Sequence, residues 1–144
     1  MMDQSSTPPL VRVLGYIAAV LFGVVIVLQL LLAASVLPVS MAWGGRQSEL
    51  TPALRWSSIG AAVLLGAFAF VIARRSNILW ESPPSLLIKV LSWMITLYMG
   101  LNTLGNFSSP SPGEKMLFGP INLVLLVACL GVSIIKPTGQ SGEG

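Results

Sequence analysis

The side chains able to do polar chemistry in this chain are concentrated between Leu101 and Asn122, in the stretch LNTLGNFSSPSPGEKMLFGPIN. It holds three of the chain's four asparagines together with Glu114. Asn102 and Asn106 are four residues apart, so a helix places them on one face. Amides both donate and accept hydrogen bonds, and a carboxylate accepts them or pairs with a cation. Such a set is suited to holding a polar or charged group, not to breaking bonds. Ser111-Pro112-Gly113-Glu114 also carries the pattern of a helix start, with Ser at the N-cap, Pro at N1 and Glu reaching back in a capping box. Glu114 therefore has two readings, helix cap and site carboxylate.

Bond-making chemistry is poorly supplied. The chain has no histidine, which removes histidine general bases and metal sites of the His/Cys type. Its five carboxylates, Asp3, Glu49, Glu81, Glu114 and Glu143, all lie outside the long apolar runs, so no intramembrane acid is available for proton-coupled transport. No glycine-rich phosphate loop, nucleophile elbow or pair of acids is present. The single cysteine, Cys129, sits inside an apolar run and rules out an intrachain disulfide. A non-enzymatic protein without cofactor or metal is expected. The eight basic residues are scattered, whereas nucleic-acid binding needs a clustered patch.

The elements that position these groups are read from hydropathy. Charged residues make up 9% of the chain and hydrophobic ones 54%, against about 25% charged in a soluble domain. The apolar residues fall into four blocks, 10–37, 52–73, 86–106 and 116–135, each near the roughly 20 residues that cross a bilayer. The expected fold is an all-α membrane protein of one domain, a four-transmembrane-helix bundle with short loops. The first block reads as a retained span, since it far exceeds the about 7–15 apolar residues of a signal peptide and follows Asp3 instead of a basic cluster. Thr51-Pro52 opens the second helix as N-cap and N1, and Pro120 should disturb the first turns of the fourth.

Each helix shows a distinct face. Gly15, Ala19 and Gly23 form a ridge of small residues that would let another helix approach closely. On the second helix Arg55, Ser58, Ala62, Gly66, Ala69 and Ala73 share an arc of about 80°. The third is the most asymmetric: Lys89, Ser92, Thr96, Asn102, Thr103 and Asn106 fall within about 140°, an arc expected to face the bundle interior. Asn122, Leu126, Cys129 and Ser133 make a stripe on the fourth.

Antiparallel neighbours let depth be read from distance to a helix end. Gln29, Arg55, Ser58, Asn102, Asn106, Glu114 and Asn122 then share one half of the membrane, the half bearing the first and third loops. This is the predicted polar pocket, with Arg55 turned inward to pair with Glu114; the alternative is that Arg55 extends to the headgroups and Glu114 only caps its helix. The opposite half offers only Lys89, Ser92 and Ser133, with Arg74 and Arg75 read as anchors at the membrane edge.

Leu101-Asn102-Thr103-Leu104-Gly105-Asn106, followed by Glu114 and Gly119-Pro120, resembles a group of small uncharacterised four-helix bacterial membrane proteins. The likeness covers mainly residues 93–131. It implies four spans in a bacterial plasma membrane and carries no activity with it. Two functional readings follow from the residues. The first, favoured because lone polar residues in membrane helices often only bond neighbouring helices, is a non-enzymatic partner or accessory subunit, associating in the bilayer with itself or another membrane protein. The other is a binder or transporter of a small solute or lipid headgroup using the polar pocket. Arg12, Arg74, Arg75, Lys89 and Lys136 flank one side of the membrane and Arg46, Arg55 and Lys115 the other, which predicts both termini in the cytoplasm.

Overall fold

The computed structural model describes residues 7–135. Four helices follow one another: α1 Pro9–Ala33, α2 Pro52–Arg75, α3 Leu86–Ser108 and α4 Gly119–Ile134, the last preceded by a π-helical turn over Glu114–Phe118. All four, counting that turn with α4, are long and apolar enough to cross a membrane. The chain is a four-helix membrane bundle.

Local sequence chemistry explains the helix ends. Thr51 caps α2 by accepting the Leu54 N–H on its side chain, and Ser85 caps α3 by accepting that of Ile88. Both α1 and α2 end in Schellman motifs. In α1 the Val36 N–H reaches back to the Leu31 carbonyl, with Ser35 in the left-handed region at φ 62°. In α2 the Ile78 N–H reaches Ala73 and Asn77 takes φ 56°, a conformation asparagine tolerates better than most residues. The first span therefore stops at Ala33, short of the 37 expected. Hydropathy counts apolar residues, and Val36 and Leu37 remain apolar after the helix has closed. Ahead of α4 the Gly119 N–H bonds to the Glu114 carbonyl five residues back. Pro120 has no N–H to continue a regular ladder, and the disturbance expected there takes the form of this widened turn.

Around the bundle, α1 packs on α2 and α4, and α3 on α4; the α2–α3 seam is the thinnest between neighbours. The inward residues follow alternating steps of three and four. On α1 they are Val11, Gly15, Ala18, Phe22, Val25 and Leu32, with Gln29 completing the series; on α2, Ser58, Ala62, Leu65 and Ile72. This is the seam geometry of left-handed helix packing. Phe22 meets Phe68 edge-on at 6.3 Å, and Phe68 meets Tyr98 at 5.2 Å. The outer faces carry exposed apolar side chains such as Val20, Val63, Leu97 and Val127, as lipid contact requires.

The seam corrects the expected packing ridge. Gly15 is buried against the segment after α2, where an added Cβ would lie 2.6 Å from the Ser76 Cβ. At Gly23 an added Cβ would meet nothing within 4 Å, and Gly66 is open in the same way. Ala19 is only half-buried, beside the fully buried Ala18, whereas Ala62 is buried as expected. A small residue marks a close approach only where a neighbour is present, and the helical phase of α1 turns the contact from Gly15 to Ala18 and Phe22.

The polar arc of α3 does face inward. Ser92, Thr96 and Thr103 are buried, and Thr96 Oγ1 lies 3.1 Å from Ser133 Oγ on α4. Thr96 and Thr103 donate to carbonyls one turn back, Ser92 and Met99. A bond between helices such as Thr96–Ser133 contributes about 0.6 kcal/mol within a bilayer.

Candidate functional site

The α1–α2 and α3–α4 loops pack on each other at one end of the bundle. Ser111 Oγ donates to the Ser40 carbonyl at 2.8 Å and accepts the Glu114 N–H at 3.4 Å. The first half of the expected capping box therefore forms. The second half does not, because the Glu114 carboxylate reaches across to the other loop, where its Oε1 accepts the Gly44 N–H at 3.0 Å. Gly44, at φ 81°, and Gly45, at φ 67°, supply the left-handed backbone of that turn. Gly45 and Gly113 also let the loops touch: a Cβ on Gly113 would lie 2.9 Å from the Met41 Cα. Trp43 precedes the two glycines at φ 56°, an unusual conformation for a bulky residue that costs roughly 1–3 kcal/mol. Its indole Nε1–H donates to Ser58 Oγ on α2 at 3.1 Å, which holds the ring in place.

Beneath this clasp lies a cavity of about 160 Å³, with walls that include Gln29 from α1, Asn102 and Asn106 from α3, Glu114 and Asn122. Trp43, Tyr98 and Phe118 add aromatic surface. Five of the seven residues of the predicted pocket thus share one chamber. Asn122 is buried to 2% exposure, and the side-chain oxygen of Gln29 is buried without a hydrogen-bond partner. A second, open depression of about 390 Å³, an outer chamber only in the sense of a shallow cleft, shares Asn102, Asn106 and Glu114 with the first and adds Arg46 and Ser109. The inner chamber abuts the thin α2–α3 seam, where Leu64 is 44% and Tyr98 42% exposed.

The other two predicted residues are placed differently. Ser58 is fully buried and serves as the anchor of Trp43. Arg55 is exposed and borders a surface depression with Leu50, Pro52 and Trp56. The predicted Arg55–Glu114 pair does not form: among the described residues the ion pair is Arg12–Glu81, at 3.1 Å. Arg55 lies about 60° round the helix from Ser58, and from there a guanidinium reaches the headgroup level at less cost than the interior. Glu114 has its backbone partner instead.

Trp43 and Tyr98 were not legible as pocket residues: Trp43 belongs to a loop, and Tyr98, midway along α3, falls outside that helix's polar arc. The Trp-Gly-Gly turn is the one local signal that Trp43 is held in a special conformation. The opposite end also departs from expectation. Arg74 and Arg75 are buried, not splayed at the membrane edge. Arg74 donates to Asn77 Oδ1 and to both Ser82 Oγ and the Ser82 carbonyl, and it lies 4.7 Å from the Trp80 ring centre. Arg75 donates to the Ser133 carbonyl at 3.4 Å. This half is therefore richer in polar groups than Lys89, Ser92 and Ser133 alone. The Arg74 cluster serves to close the loop after α2.

Among the described residues no group of histidine, cysteine and carboxylates is placed to hold a metal. Set against known protein families, curated proteins and solved structures, the chain matches none.

Proposed function

We propose that this protein is a non-enzymatic, multi-pass membrane protein that binds a small polar solute or a lipid headgroup in the chamber beneath its first and third loops. The observation that carries this reading is the Gln29 side-chain oxygen, buried without a partner in a residue that lines the chamber. An unsatisfied buried acceptor costs about 1–3 kcal/mol, and a bound donor would remove that cost. The volume supports one ligand of modest size, since a cavity near 150 Å³ accommodates a benzene-sized molecule. An accessory-subunit role is the rival reading. It calls for a surface reserved for a partner, whereas the exposed apolar residues are spread over all four helices, as lipid alone requires.

The test is native mass spectrometry of the protein extracted directly into lipid nanodiscs. The wild type is expected to carry a small adduct that is lost from a Gln29→Leu, Asn122→Leu variant. Identical adducts, or none, in folded samples of both proteins would remove this reading.

We further propose residence in a bacterial plasma membrane with both chain ends in the cytoplasm. Thr7, Arg12, Asn77 and Glu81 come together at one end of the bundle, and that end carries Arg12, Arg74, Arg75 and Lys89. Arg46, Arg55 and Lys115 belong to the other. Lys136, which adds to the first group, lies outside the described residues. The excess on the first side supports its cytoplasmic location. A phosphatase reporter, active only outside the cytoplasm, should be silent when fused after Gly144 and active when inserted after Gln47. The reverse pattern would invert the assignment.

A further inference from the structure

We propose, building on the binding reading above, that the ligand is a small zwitterion: its ammonium end occupies the inner chamber and its anionic end the outer chamber at Arg46. The two chambers differ in the charge they can neutralise. The inner one has a carboxylate, Glu114, and no lysine or arginine in its wall. Gln29, part of the same wall, has a buried side-chain oxygen that receives no donor from the protein, and ammonium groups supply donors and no acceptors. Trp43 and Tyr98 bring aromatic rings to the same wall, a surface that attracts cations. The Trp43 ring is fixed there through its bond to Ser58 in a backbone conformation adopted at a cost.

The outer chamber pairs Arg46 with the Ser108–Ser109 segment and shares Glu114, Asn102 and Asn106 with the inner one. A guanidinium is well suited to phosphate or carboxylate. The polarity of the site therefore runs from carboxylate and amides inside to arginine outside. A free anion would meet Glu114 in both chambers. A lone cation would leave Arg46 unused. A molecule with an ammonium and an anionic group a few bonds apart satisfies both.

Two sources offer this chemistry. A free aminoalkyl phosphate or amino acid would enter between the loops. The headgroup of an aminophospholipid would enter through the thin α2–α3 seam beside Leu64 and Tyr98, leaving its chains in the bilayer.

Thermal unfolding and binding isotherms on the purified full chain separate these outcomes, with O-phosphoethanolamine, ethanolamine and inorganic phosphate as soluble probes. Nanodiscs of phosphatidylglycerol with or without phosphatidylethanolamine supply the lipid arm. O-phosphoethanolamine is expected to bind more tightly than either fragment. Glu114→Gln, which keeps an oxygen for the Gly44 N–H but removes the charge, should weaken binding about 10- to 100-fold. Arg46→Gln should weaken the zwitterion and leave ethanolamine unaffected. Stabilisation by soluble O-phosphoethanolamine alone identifies a free solute; stabilisation by phosphatidylethanolamine nanodiscs identifies a lipid headgroup. Phosphate binding as tightly as O-phosphoethanolamine would overturn the proposal, as would a Glu114→Gln protein that binds like the wild type. Loss of the native adduct in the Gln29→Leu, Asn122→Leu variant, with no response to any of these probes, would overturn the zwitterion while leaving the binding site in place.

Discussion

Gly15→Leu is expected to lower the stability of the bundle in detergent by about 1–3 kcal/mol, the usual cost of overpacking. The position faces the turn after α2, where even a Cβ would overlap the Ser76 side chain and lie 2.7 Å from Ile78 Cδ1. Ser76 cannot move aside freely. Its hydroxyl donates to the carbonyls of Ile72 and Ala73, and the neighbouring Asn77 carries the left-handed turn that ends α2. The added bulk must therefore separate α1 from α2 across their largest shared face. Within a bilayer such separation loses close van der Waals packing that lipid does not replace. Gly23→Leu is the internal control, because nothing lies within 4 Å of a Cβ there; it should change stability by less than about 0.5 kcal/mol. Equal thermal shifts for the two variants would show that Gly15 is not a contact.

Glu114→Leu should have a comparable effect at the opposite end, about 1.5–3 kcal/mol, the range for a hydrogen bond to a charged group. The substitution removes the carboxylate that receives the Gly44 N–H, and with it the clasp between the two loops. Its clearest readout is local: limited proteolysis should cut between residues 39 and 50 faster than in the wild type. Arg55→Ala, by contrast, is expected to leave stability within about 0.5 kcal/mol, since Arg55 is exposed and Glu114 does not depend on it. If Arg55→Ala and Glu114→Leu destabilise equally, and a charge exchange between the two restores stability, the clasp is wrongly assigned.

The division between what was legible in the sequence and what was not follows the range of the forces involved. Four spans, the capped start at Thr51, and the inward phase of Ser92, Thr96 and Thr103 are set by hydropathy and by bonds within a few residues. The sequence contains those directly. Depth in the membrane is likewise a matter of counting along antiparallel helices, which is why Gln29, Asn102, Asn106, Glu114 and Asn122 could be assigned to one half before any contact was known. Rotation about the helix axis is not. Arg55 and Ser58 lie at nearly the same depth, yet packing turns Ser58 inward to Trp43 and leaves Arg55 exposed. Gly15 and Gly23 are equivalent in sequence, and a neighbour reaches the first and not the second. Glu114 matches a capping box locally, but a backbone N–H seventy residues away competes for its carboxylate and wins. Arg75 looks like a membrane anchor until α4 brings the Ser133 carbonyl within reach of its guanidinium. In each case the deciding partner is distant in the chain, so only the tertiary structure could supply it.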